Sequence, residues 1–89
     1  APDLVIEVSS PSTRQLEHLR KREIFERYGV REYWLVDLEV ERMEVLTLEN
    51  DRYGPPTILG PDETLTTPVI PGLEIPLEDV LRPKLGDER

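Results

Sequence analysis

From Ser12 to Tyr28 the chain contains neither glycine nor proline, and Pro11 and Gly29 bound the stretch. A breaker-free run of this length suits a helix, and the residues on both sides of it are of strand type. Leu4-Val5-Ile6-Glu7-Val8 precedes it and Tyr33-Trp34-Leu35-Val36 follows it. Strand, helix, strand is the order of a parallel crossover, since a tight hairpin can join only antiparallel strands. The pattern predicts a strand over residues 3–9, a helix over about residues 13–28 and a second strand over Glu32–Leu38, together a right-handed βαβ unit.

The helix carries terminal signals. Ser12 with Gln15 makes a capping box, and Gly29 suits the residue just past a helix end. A third strand is predicted over Arg42–Leu48, with Met43, Val45 and Thr47 on one side and Glu44, Leu46 and Leu48 on the other. The short gap after Leu38 makes it a hairpin with the second strand. Beyond Glu49, turn residues separate short apolar patches at Thr57–Leu59, Leu65–Thr67 and Val69–Ile70. Ile75–Leu81 suits a terminal helical turn with Pro76 near its start, and residues 86–89 read as a flexible tail. In the first strand, Leu4, Ile6 and Val8 share one face while Asp3, Val5, Glu7 and Ser9 share the other. Apolar residues on both faces predict a central strand covered on both sides.

Composition narrows the chemistry. Eighty-nine residues make one domain at most, and no apolar run approaches membrane-spanning length. There is no cysteine and His18 is the single histidine, so thiol chemistry and His- or Cys-rich metal sites are excluded. Any metal would be held by oxygen, which points to a hard ion such as Mg2+ or Mn2+. Absence of cysteine fits a cytoplasmic protein, and scarce Asn, Gln and Met with nine prolines fit a thermophilic source. The net charge of −8 argues against a nucleic-acid partner. Residues 1–30, however, hold as many basic as acidic groups, so the whole negative excess lies in residues 31–89.

On a helical projection of about 100° per residue from Leu16, Ile24 falls at about 80°, Tyr28 at about 120° and Phe25 at about 180°, defining one apolar arc. Glu17 and Lys21 lie inside that arc, at about 100° and about 140°. A crossover helix lies over its own strands, so Glu7 can converge with Glu17 and Lys21 if its face is the one that meets the helix. Carboxylates that gather a divalent cation, beside a lysine that orients water or offsets phosphoryl charge, suit phosphodiester hydrolysis. A structural ion pair between Glu7 and Lys21, with Glu17 an ordinary i,i+4 partner, explains the same pattern. Other residues have plain structural readings: His18 a solvated helix edge, Tyr33 and Trp34 core, Arg14, Arg20, Arg22 and Arg27 a wet face, and Asp37 a turn initiator.

Pro2-Asp3-Leu4-Val5-Ile6-Glu7-Val8, then Ser10-Pro11-Ser12-Thr13, Lys21 and Gly29-Val30-Arg31-Glu32-Tyr33-Trp34-Leu35-Val36-Asp37 closely resemble the Uma family of bacterial restriction-endonuclease-like proteins. Ile70-Pro71-Gly72-Leu73-Glu74-Ile75-Pro76-Leu77 resembles that family's C-terminal segment. The resemblance implies a PD-(D/E)xK nuclease: an α/β fold with a restriction-endonuclease-like mixed β-sheet, a flanking helix and a metal-dependent phosphodiesterase site. Carried over by position, Glu7 matches the acidic metal ligand and Ser9 stands where the superfamily usually has lysine. Lys21 matches a lysine that has moved to the helix, and Glu17 matches a position where the family more often has Asp. The family's first metal-binding Asp belongs to an earlier strand; Asp3 is not assigned that role, although it shares the Glu7 face. The chain begins directly at a strand without Met, so residues 1–89 are expected to be a single domain or the C-terminal fragment of a nuclease-like domain.

The function so implied is a Mg2+- or Mn2+-dependent endonuclease acting on DNA, with Glu7, Lys21 and Glu17 catalytic and Glu7 binding metal. The alternative is an inactive, nuclease-derived interaction module, which suits the acidic balance. A homodimer would suit two cuts on duplex DNA, although no residue demands one. No membrane association is expected.

Overall fold

The computed structural model describes residues 2–9 and 14–83, and for Ser9 and residues 14–17 the backbone alone. The elements are β1 (Leu4–Ser9), α1 (Arg14–Arg27), β2 (Glu32–Asp37), β3 (Arg42–Glu49), β4 (Arg52–Tyr53), β5 (Thr57–Leu59), β6 (Thr64–Leu65), β7 (Ile75–Pro76) and α2 (Leu77–Leu81). The first five strands form one mixed sheet in the order β1-β2-β3-β4, with β5 also on β3.

β1 runs parallel to β2 with Leu4 opposite Glu32, Val5 opposite Tyr33 and Glu7 opposite Leu35, as the crossover order requires. β2 and β3 form the predicted antiparallel hairpin, paired from Glu32–Thr47 to Asp37–Arg42. Asp37 closes its turn by accepting hydrogen bonds from the Glu39 and Val40 amides at 3.0 and 3.3 Å. The far edge of β3 is shared: β5 pairs with Met43–Val45 and β4 with Leu48–Glu49.

Strand alternation divides the apolar residues between two layers. On one face Tyr33, Leu35, Leu46 and Tyr53 pack with Val5, Leu48 and Phe25 of α1. On the other, Trp34, Val36, Met43 and Val45 pack with Leu65 and with Leu77 and Leu81 of α2. α2 presents Leu77 and Leu81 to that core as an i,i+4 pair, and Leu77 N donates to Glu63 O at 2.9 Å. The expected terminal helical turn is thus present, directly after Pro76.

Helix α1 ends where Gly29 predicts. Gly29 has φ +76°, Gly29 N donates to Glu26 O at 3.1 Å and Val30 N to Phe25 O at 3.0 Å. Those paired bonds make a Schellman cap, in which a left-handed glycine turns the chain out of the helix. The Ser12–Gln15 capping box and the tail at 86–89 lie outside the described residues.

Two expectations need correction. Among the described residues β1 pairs only with β2, and its face away from α1 is covered only near Leu4, with Ile6 and Val8 54% and 64% exposed. The covering face of α1 also differs: His18, Lys21, Arg22, Phe25 and Glu26 are half-buried, whereas Ile24 and Tyr28 are exposed. The i, i+3, i+4, i+7, i+8 spacing is intact, but only one of these five side chains is apolar.

Candidate functional site

The face of β1 that carries Val5 and Glu7 is the one under α1. Lys21, on the inward row of the helix, therefore reaches the strand, and its ammonium donates to Glu7 Oε2 across fourteen residues of sequence. The other carboxylate oxygen is also engaged: the Tyr33 hydroxyl donates to Glu7 Oε1 at 2.6 Å. Tyr33 lies opposite Val5 in the parallel register, one pleat from Leu35, so its ring and the Glu7 side chain share a face and meet diagonally.

These contacts set the charge state. Burial works to raise the Glu7 pKa, but the hydrogen bonds from Lys21 and Tyr33, the Lys21 charge and nearby His18 outweigh it and hold the carboxyl below its ordinary value. Glu7 is therefore an anion at neutral pH. Burial, then the bond to Glu7, pushes the Tyr33 hydroxyl above the usual phenol range, so it remains a donor. The Tyr33 ring is fully enclosed, edge-on to Phe25 with centroids 4.9 Å apart and tilted against His18 at 6.4 Å.

Of the predicted residues, Glu7 and Lys21 are brought together. Glu17 lies on α1, one turn before Lys21, but its side chain is outside the described residues, as is that of Ser9. Asp3 is exposed, and its carbonyl accepts the Glu32 amide at 3.1 Å. Arg20 and Arg27 face solvent. Arg22 is tied down, donating to Tyr53 O at 3.3 Å and lying 3.8 Å from Glu26 Oε2. Trp34 belongs to the core, where its indole donates to buried Glu32 at 2.9 Å. His18 is not the solvated edge its position suggests; it is half-buried beside Tyr33. Sequence reasoning treats Tyr33 as core alone and misses its hydroxyl. Only the strand register reveals that contact, because Tyr33 and Glu7 are far apart in sequence.

A hard cation fits this donor set in part. The ionised Glu7 carboxylate suits one oxygen ligand of Mg2+ or Mn2+. Among the described residues no group of three or more His, Cys, Asp and Glu could hold such an ion. An open depression of about 640 Å³, lined by Glu23, Glu26, Arg27, Asp51 and Arg52 near the C-terminal end of α1, includes none of the predicted site residues. No helix among the described residues is long and apolar enough to cross a membrane.

The fold has a counterpart among solved structures. A crystal structure from Anabaena variabilis, described as "a putative nuclease belonging to DUF820", superposes with a TM-score of 0.74 at 21% sequence identity. The match covers 92% of this chain and 45% of that one, so the chain spans under half the length of that relative. No curated protein matches the chain. The family model described as "Uma2: Putative restriction endonuclease" matches residues 1–78, from β1 into α2, and the chain therefore belongs to the Uma2 family.

Proposed function

We propose that this chain supplies Glu7 and Lys21 to a metal-dependent endonuclease site that hydrolyses DNA phosphodiester bonds. The observation that carries the reading is the Lys21 ammonium seated on the Glu7 carboxylate, strand to helix, in a member of a family described as "Putative restriction endonuclease". Glu7 would hold a Mg2+ or Mn2+ ion together with an acidic ligand from outside the described residues. When bound, such an ion supplies positive charge to a phosphoryl oxygen and makes its water more acidic. Lys21 places a second positive charge beside it, where it orients the attacking water or offsets the charge that builds on phosphorus-bound oxygens. Glu17, one turn earlier on α1, would serve as a partner of the metal or of Lys21. Two symmetry-related copies would place one such site on each DNA strand.

The test is cleavage of duplex DNA by the complete protein with Mg2+ or Mn2+. Lys21→Ala is expected to abolish cleavage while circular dichroism reports an intact fold, and full activity in that variant would sink the role. Calorimetric titration with Mn2+ is expected to show binding that Glu7→Gln removes. A folded wild-type protein that neither binds Mn2+ nor cuts DNA would instead favour the interaction module, which the net charge of −8 suits.

A further inference from the structure

Lysine and glutamate both carry several rotatable bonds, so an ion pair between them leaves the carboxylate's position soft. Tyr33 has no such freedom. Its ring is 0% exposed and is held by Phe25 at 4.9 Å, by His18 at 6.4 Å and by Tyr53 at 6.3 Å between ring centroids. The direction of its hydroxyl is thereby fixed by the core, and that hydroxyl donates to Glu7 Oε1 at 2.6 Å. Lys21, on the helix, takes Oε2.

We infer that Tyr33 is a positioning residue: through Oε1 it locks the Glu7 side chain in one rotamer and presents the Oε2 edge to Lys21. The inference rests on the reading of Glu7 as a metal ligand, since a ligand held in place before the ion arrives loses less freedom on binding. Tyr33 itself touches neither ion nor substrate in this scheme; it acts through Glu7.

Tyr53 provides the structural control. It belongs to the same apolar layer, and its hydroxyl donates to the buried Val30 carbonyl at 2.8 Å rather than to Glu7. The experiment uses the complete protein as wild type, Tyr33→Phe and Tyr53→Phe. Two quantities are measured: the Glu7 Hα–Hβ three-bond couplings by NMR, and Mn2+ affinity by calorimetry. The couplings are expected to move from single-rotamer to averaged values in Tyr33→Phe alone, with Mn2+ binding weakened about 10-fold there and unchanged in Tyr53→Phe. Unchanged couplings or affinity in folded Tyr33→Phe would overturn the inference, as would the same changes in Tyr53→Phe. A complete wild-type protein that binds no Mn2+ defeats the metal reading, and the couplings alone then decide the role of Tyr33. If Tyr33→Phe does not fold, a slowly exchanging Tyr33 hydroxyl proton with cross-peaks to the Glu7 side chain supports the inference in the wild type, and its absence overturns it.

Discussion

Replacing Lys21 by methionine keeps most of the aliphatic stem that covers the sheet and deletes the ammonium on Glu7. The side chains of that pair are 40% exposed for Lys21 and 22% for Glu7. The pair thus falls between surface pairs, worth about 0–1 kcal/mol, and buried ones, whose breaking costs about 3–5 kcal/mol. Tyr33 still donates to Oε1 in the variant, so the carboxylate keeps one partner and the loss is expected near the lower bound, about 1–2 kcal/mol. For a domain of this size each 1 kcal/mol moves Tm by about 4–8 °C. The loss should also depend on pH. The folded-state pKa of Glu7 is lowered, so its stabilisation is complete above the ordinary value of 4.5 and disappears as pH falls through the lowered value. Without Lys21, burial acts with less opposition and the Glu7 carboxyl protonates more readily. The stability gap between wild type and variant therefore closes on acidification. Urea denaturation followed by circular dichroism, from about pH 7 to about pH 3, measures that gap. A gap of equal size at both ends, or none at neutral pH, would refute the assignment of a stabilising charge pair.

Two further substitutions test the frame that holds the site. Trp34→Phe removes the indole donor from Glu32, which is only 3% exposed, and should destabilise the fold by about 1–3 kcal/mol. Denaturation must be followed by circular dichroism, since Trp34 is the chain's only tryptophan; a neutral result would mean that the bond carries no weight. Gly29→Ala places a Cβ in open space but at φ +76°, so its cost should be purely conformational, about 1–2 kcal/mol, and an unchanged urea midpoint would contradict the helix-capping account.

The strands were legible because their alternation survives in the fold: Met43 and Val45 do face away from Leu46 and Leu48, as period two requires. The helix ends were legible at Gly29 for a backbone reason that no neighbour can override. The helix face was not. Apolar counting favours Ile24 and Tyr28, yet both are exposed, because the row that meets the sheet is built from the stems of Lys21, Arg22 and Glu26 and the rings of His18 and Phe25. A helix that delivers a charge to the sheet cannot advertise its inner face by hydrophobicity. The Glu7–Lys21 meeting was nevertheless within reach, since chain order puts the helix over β1 and Lys21 is the basic residue on the Glu7 side of it. The Tyr33 hydroxyl was out of reach because an aromatic residue in an apolar strand looks the same with or without a task for its oxygen.

Tyr33 and Trp34 are consecutive residues of β2, and each gives its single polar hydrogen to a carboxylate: one to Glu7 under α1, the other to Glu32 in the opposite layer. A one-residue slip of β2 would exchange the two faces. Tyr33 would then turn away from α1 and Trp34 would arrive where Glu7 waits, so the carboxylate would lose its phenol donor, whereas Glu32, on β2 itself, would move together with Trp34. Alignment errors that hydrophobic burial alone would tolerate, since both faces of β2 are apolar, are thus penalised by hydrogen bonding. The Tyr33 hydroxyl thus acts as a proofreading element for the registration of β2 against β1, and the Glu7 carboxylate is the place where a mistake is detected.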